Sequence, residues 1–268
     1  MRLSATINFF DGGELLLPML RNIRPVADHI SIVTQEVSNF GNRMSPFSIR
    51  AVDEASRLGL ADDVLAYVPD LNLKGGRNEF LKRRAGIECA RLAGADHVIF
   101  CDVDEFYETN LLASAKEFIA ANQIDFSTAR ICSYYVKPTW RLTAINGASA
   151  TEDLVPFICR LTDATSHEFD GWYPVGPVDP TRRIHLSPGK HYIFPAADII
   201  MHHMTGIRWN IEEKLTNSSH NDSSSSIARQ RFQYAHADRL VPGRNLLDDG
   251  TMIHIEPVKD IFGLTEQL

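Results

Sequence analysis

Two carboxylates, Asp102 and Asp104, close an apolar run in the segment HVIFCDVDEFY. Held side by side in a partly dry place, they repel each other and lose hydration. A hard divalent cation between them removes both costs, and Mg2+ or Mn2+ suits an oxygen pair and also binds diphosphate oxygens. A solvated acidic turn is the competing explanation. Position favours a metal or a ribose, because the pair directly follows a strand in an alternating β/α chain. Glu105, the next acid, is a further ligand or a carboxylate behind the ligands.

Other residues suited to chemistry lie elsewhere. Lys74-Gly75-Gly76-Arg77 is a flexible basic turn able to meet phosphate, although the chain has no P-loop and no G-x-G-x-x-G. The segment SHEFDGWYP, residues 166–174, offers Glu168 and Asp170 as general bases for an acceptor hydroxyl. Its Trp172 and Tyr173 are rings for a sugar face or for the core. His202 and His203 are adjacent after a β-rich run, so their side chains point to opposite faces and one at most serves a given site. Arg208 and Lys214 follow on a helical stretch, either as a solvated face or as counter-charges for an anionic leaving group.

These residues need elements to position them. Strands are expected over 3–10, 29–34, 64–68 and 97–101, alternating with helices over 14–24, 53–60 and 77–93. That order predicts an α/β fold: a Rossmann-like, mostly parallel sheet with helices on both faces, and ligands beyond the carboxyl ends of its strands. A helix over 111–121 follows, then strands over 126–135, 157–161, 192–194 and 198–201. Residues 162–190 read as a long loop region, 207–215 as a helix, and NSSHNDSSSS (217–226) as a mobile low-complexity segment. The expected organisation is a nucleotide-binding half (1–125), an acceptor-side half of the same domain (126–206), and a C-terminal helical extension with a Ser-rich stretch and tail (207–268).

Composition narrows the function classes. The 268 residues are 44% hydrophobic and 23% charged, enough for a real core, and the net charge of −7 disfavours a nucleic-acid partner. Cys89, Cys101, Cys132 and Cys159 form no C-x-x-C, which fits a reducing compartment. No signal-type apolar region opens the sequence and no stretch reaches spanning length. A cytoplasmic protein is expected, either free or held at the inner membrane face by a partner.

With these residues assembled, the strand HVIFCDVDEFY preceded by the helix GRNEFLKRRAGIECA resembles the glycosyltransferases of the GT-A fold, in particular their family 2-like bacterial branch. The resemblance covers residues 3–107 and returns over 198–219. It implies a nucleoside diphosphate-sugar donor, Mn2+ or Mg2+ as cofactor, and a saccharide or other hydroxyl acceptor of the kind built into surface polysaccharide. It further implies Asp102 on ribose or metal, Asp104 on metal, and a late histidine as third ligand, with His203 preferred to His202. Arg77 and Asn78 would lie near the nucleotide, with Arg208 and Lys214 on the diphosphate. Phe9 and Asp11 at the end of the first strand, Glu36 after the second, and Lys74 complete the expected donor site. The sequence departs from the family at two places: Phe-Phe-Asp-Gly-Gly-Glu stands where Asn-Glu is commoner, and Thr34-Gln35-Glu36 stands where an acid is usual. Two other readings use the same elements, a sugar-phosphate nucleotidyltransferase and a non-catalytic nucleotide-sugar-binding protein. FFDGGELL is a poor match to the Gly-rich, Arg-bearing loop of the former.

Overall fold

A computed structural model describes residues 1–150, 153–218, 239–247 and 250–267. Most of the Ser-rich segment expected to be mobile lies outside the described residues. Elements are numbered in chain order. The first half alternates as expected: β1 (Leu3–Asn8), α1 (Gly13–Ile23), β2 (His29–Thr34), α2 (Pro46–Arg57), β3 (Asp63–Ala66), α3 (Gly75–Leu92) and β4 (His97–Asp102). Next come β5 (Glu105–Phe106), α4 (Thr109–Asn122), β6 (Phe126–Ser133), β7 (Trp140–Ile145), β8 (Ala148–Ser149), β9 (Leu154–Arg160) and β10 (Thr165–His167). The chain continues through a 3-10 turn (Pro180–Arg182), β11 (Ile184–Leu186), β12 (His191–Ile193), β13 (Ile200–His203), α5 (Ile211–Asn217), β14 (Gly243–Leu246) and β15 (Met252–Pro257).

Among the described residues the main sheet runs β3-β2-β1-β4-β9-β6-β13-β5, with β12 also beside β6. β1 pairs parallel with β2 and β4, β2 with β3, and β6 with β12 and β13, while β9 runs antiparallel between β4 and β6. Both faces are covered, so the strands are apolar on both sides. Ile99 and Cys101 face the core shared with Leu15, Leu16 and Leu20 of α1 and with Leu112 and Ile119 of α4. Val98 and Phe100 face Ile87 and Ala90 of α3. Gly86 sets the α3–β1 spacing, because a Cβ there would stand 2.9 Å from Cβ of Thr6.

Several boundaries moved for local reasons. α2 begins earlier than the apolar pattern suggests because Ser45 caps it, accepting from Ser48 N at 3.1 Å, with Pro46 in its first turn. The helix expected over 207–215 starts later, after Asn210 caps Glu213 N. The tail beyond α5 returns to sheet: β14 and β15 join β7 and β8 in a second, antiparallel sheet around Leu142, Ile253 and Ile255. No helix among the described residues is long and apolar enough to cross a membrane.

Candidate active site

A cavity of about 450 Å³ opens at the carboxyl ends of β1, β2 and β4. Its floor carries Asn8, Phe10 and Asp11 from the end of β1, Gln35 and Asn39 beyond β2, and Asp102 to Glu105 from β4. α3 contributes Glu79 and Lys82, the 3-10 turn contributes Asp179 and Arg182, and the far wall carries His203, Arg208 and Lys214.

The two carboxylates of the pair have separate counter-ions. Asp102 accepts from Arg83 at 3.0 Å and from Arg182 at 2.6 Å. Asp104 Oδ2 accepts from Arg208 at 2.8 Å and from Lys214, and lies 3.7 Å from His203 Nε2. Burial alone would raise the pKa of Asp104, but Lys214, Arg208 and His203 overcome it and hold the carboxyl well below its usual range. Burial likewise opposes ionisation of Asp102, and Arg182 and Arg83 reverse that effect. Glu105 is pulled into the same network: Arg182 donates to both its oxygens, and Glu105 accepts from Asp102 N at 3.0 Å. Burial nevertheless pushes its pKa upward, with the Asp102 charge adding to it. His203 is held down to about 4 by burial and is neutral at pH 7, the form that metal ligation requires. Lys82 is buried with its ammonium on the Phe9 carbonyl at 2.5 Å, and burial lowers it to about 7.

Gly12 explains how Arg208 reaches Asp104. Its φ is +75°, and a Cβ there would stand 3.0 Å from Cζ of Arg208. The Asp-Gly-Gly stretch after β1 is thus the gap through which the guanidinium passes.

Of the residues singled out in the sequence, Asp11, Asp102, Asp104, His203, Arg208 and Lys214 meet at this cavity. Others do not line it. Phe9 is fully buried, because strand alternation turns it into the core while Asn8 and Phe10 face out. Gln35, not Glu36, lines the cavity beyond β2. Lys74 is the residue before α3 and is exposed. Arg77 packs over Phe80 and Phe169 at 5.1 and 5.3 Å. Asn78 is buried and ties down the β3–α3 loop through Tyr67, Asp70 N and the Asp70 carbonyl. His202 faces away, with Nδ1 at 2.8 Å from Tyr134 OH. Glu168 and Asp170 also lie off the cavity. The loop turns at Gly171, whose N–H donates to the Glu168 carbonyl, and Asp170 forms an exposed ion pair with Arg183 at 2.9 Å. The 3-10 turn further along that loop presents Asp179 and Arg182 instead. Asp179-Pro180-Thr181 carries a legible cap signature, with Asp179 accepting from Thr181 N at 2.8 Å, but no pattern announced its partners.

The donor types here suit Mg2+ or Mn2+, but Asp102 Oδ1, although it makes no hydrogen bond, already lies 3.0 Å from Arg83 Nη2. Among the described residues no three His, Cys, Asp or Glu side chains converge closely enough to hold an ion. Asp104 Oδ2 is taken by Arg208 and Lys214.

No protein-family model matches the chain. No curated protein matches it in sequence. Solved structures with a similar arrangement include the following three. Residues 1–349 of S. aureus TarS share 14% identity over 50% of this chain and 36% of that one, with a TM-score of 0.38. The mannosyltransferase PcManGT from Pyrobaculum calidifontis, in complex with GDP-Man and Mn2+, shares 15% over 51% and 36%, with a TM-score of 0.35. GalNAc-T7 with UDP, GalNAc and Mn2+ shares 13% over 78% and 45%, with a TM-score of 0.47. This chain therefore spans less than half the length of each. Likenesses this distant carry no argument about chemistry, which rests on the cavity itself.

Proposed function

We propose that this chain is a glycosyltransferase that moves a sugar from a nucleoside diphosphate donor to an acceptor hydroxyl, with a saccharide as the leading acceptor. One observation carries this reading: a carboxylate pair and a cation pair meet in one cavity at the carboxyl end of a mostly parallel sheet, with Arg208 and Lys214 converging on Asp104. A departing diphosphate needs such preorganised cations, because charge develops on its oxygen as the anomeric carbon–oxygen bond breaks. Residues 1–125 would form the donor half, 126–206 the acceptor half, and 207–268 would supply Arg208 and Lys214.

In this reaction the acceptor oxygen forms the new bond to the anomeric carbon, and the electron pair of the broken bond leaves on the nucleoside diphosphate. Asp179, which unlike Asp170 lines the cavity, is the carboxylate we assign to take the acceptor proton; its Oδ2 lies 3.5 Å from Arg182 Nε and 4.0 Å from Arg83 Nη2. Its Oδ1 is oriented by Thr181 N and Oγ1, both at 2.8 Å. Arg208 and Lys214 exchange Asp104 for diphosphate oxygens as the donor enters. The ions expected from the sequence, Mn2+ or Mg2+ on Asp102, Asp104 and His203, take no part in this step, because those side chains do not converge as an ion requires and Asp104 is held by Arg208 and Lys214.

The test is a panel of nucleotide-sugars with and without Mn2+, followed by release of nucleoside diphosphate and by thermal shift. One donor should be hydrolysed slowly, and Asp104→Asn should abolish the turnover. Release of pyrophosphate from a nucleoside triphosphate and a sugar phosphate, with no diphosphate release, would replace this reading with the nucleotidyltransferase.

A further inference from the structure

The sequence predicts a divalent ion on Asp102 and Asp104, and the side chains around the pair are set against one. Arg208 and Lys214 converge on the same oxygen of Asp104, Oδ2. The Asp104 and Arg208 side chains are each 3% exposed, so their contact is dry. Asp102 is engaged separately by Arg83 and Arg182, both buried. A doubly charged ion bonded to Asp104 Oδ2 at about 2.1 Å would stand within about 5 Å of two fixed cations. In a buried site that repulsion is several-fold what water would leave of it.

The same geometry suits an anion. An ammonium and a guanidinium carry donors only, so whatever they share must accept. Both line the cavity, and Lys214, at 21% exposed, is the one more open to it. Arg208 is fixed from behind, where its guanidinium passes Gly12. The two cations are thus assembled on a carboxylate of this chain before any diphosphate arrives.

We infer that Asp104 is a resident anion, which holds Arg208 and Lys214 in place and gives them up to the diphosphate, and that the site works by this exchange with no divalent ion. The inference rests on the nucleoside diphosphate-sugar reading above and reverses what the family resemblance implies for Asp104. A metal ligand helps a diphosphate to bind, whereas a resident anion competes with it. The two roles give a substitution at Asp104 opposite signs.

Calorimetric titration of the full chain with pyrophosphate, in chelator and in Mn2+, tests it without base or sugar. The wild type should bind pyrophosphate in chelator, and Mn2+ alone should not bind the chain. Asp104→Asn should bind pyrophosphate about tenfold or more tightly, because the cations lose their internal competitor. Lys214→Met should bind it about 10- to 100-fold more weakly, the usual consequence of losing a hydrogen bond between charged groups, and Lys214→Arg should recover most of that loss. Where Asp104→Asn is too unstable to titrate, Lys214→Met still decides, because freeing a metal ligand at Asp104 would strengthen binding in Mn2+ instead. Pyrophosphate binding that requires Mn2+, or that is no tighter in a folded Asp104→Asn, overturns the inference alone. Binding in neither condition overturns the diphosphate-donor reading beneath it.

Discussion

Arg182 touches more of the buried charge than any single acid does, donating to Glu105 and to Asp102 and lying 3.5 Å from Asp179. Arg182→Met leaves those carboxylates buried without it, and removing one partner of a buried pair costs on the order of 3–5 kcal/mol. Urea unfolding of the variant should show a loss of that size, and double replacement with Glu105→Gln should recover part of it. The two candidate bases are separated by a second comparison. Asp179→Asn is expected to lower kcat by about 10²–10⁴-fold with donor KM unchanged, the range for losing a general base. Asp170→Asn removes only an exposed ion pair and should leave kcat within about threefold, as surface pairs contribute little. The reverse ranking would return the base to the outer turn of the loop.

Gly12 links the first strand to the last cation. Gly12→Ala imposes a left-handed conformation costing about 1–2 kcal/mol, and its Cβ would also press on the Arg208 guanidinium. Donor turnover should therefore fall by more than the stability loss explains, a difference visible by comparing kcat/KM with the thermal midpoint. Elements of this kind mark the limit of what could be read without the structure. The first four strands, their helices and the placing of Asp102 and Asp104 were legible because the apolar period changes cleanly from strand to helix there. The second sheet was not: β7 and β15 are half-exposed strands without an apolar run, and their pairing joins Trp140–Ile145 to Met252–Pro257, a separation no local pattern records. For the site, Asp11, Arg208, Lys214 and His203 were reachable by type and position. Lys82, Gln35, Asp179 and Arg182 were not, because their role follows from which face of a helix or loop meets β4. Arg77 and Asn78 misled for the converse reason. They sit five residues before Lys82 and Arg83, about 140° further round the helix, and a rotation of that size decides who faces the cavity.

At the scale of the whole molecule, acid is the expected weakness. Burial holds His167 and His202 down to about 4, against 6.5 when free. The folded-state pKa is the lower one, so the unfolded chain takes protons first, and stability falls as pH drops from 6.5 through 4. His203 is held down in the same way and Glu105, pushed up to about 7, works in the opposite sense, so the net slope is that of two such groups, about 2.7 kcal/mol per pH unit. Urea unfolding between pH 6.5 and 4.5 should show it, and His202→Phe should halve it. The ion-pair network has a different consequence, in time. Asp102 and Asp104 receive Arg182, Arg208 and Lys214 from positions 80, 104 and 110 residues further on. At about 5–20 residues per second of synthesis, Arg208 leaves the ribosome roughly 5–20 s after Asp104. Until then the strand that carries the acidic pair has a nascent sheet around it but lacks these three counter-ions. Asp102 has Arg83 from the start, but Asp104 waits for Arg208 and Lys214, so the charge balance of the newborn amino-terminal half is completed only when the far end of the chain arrives.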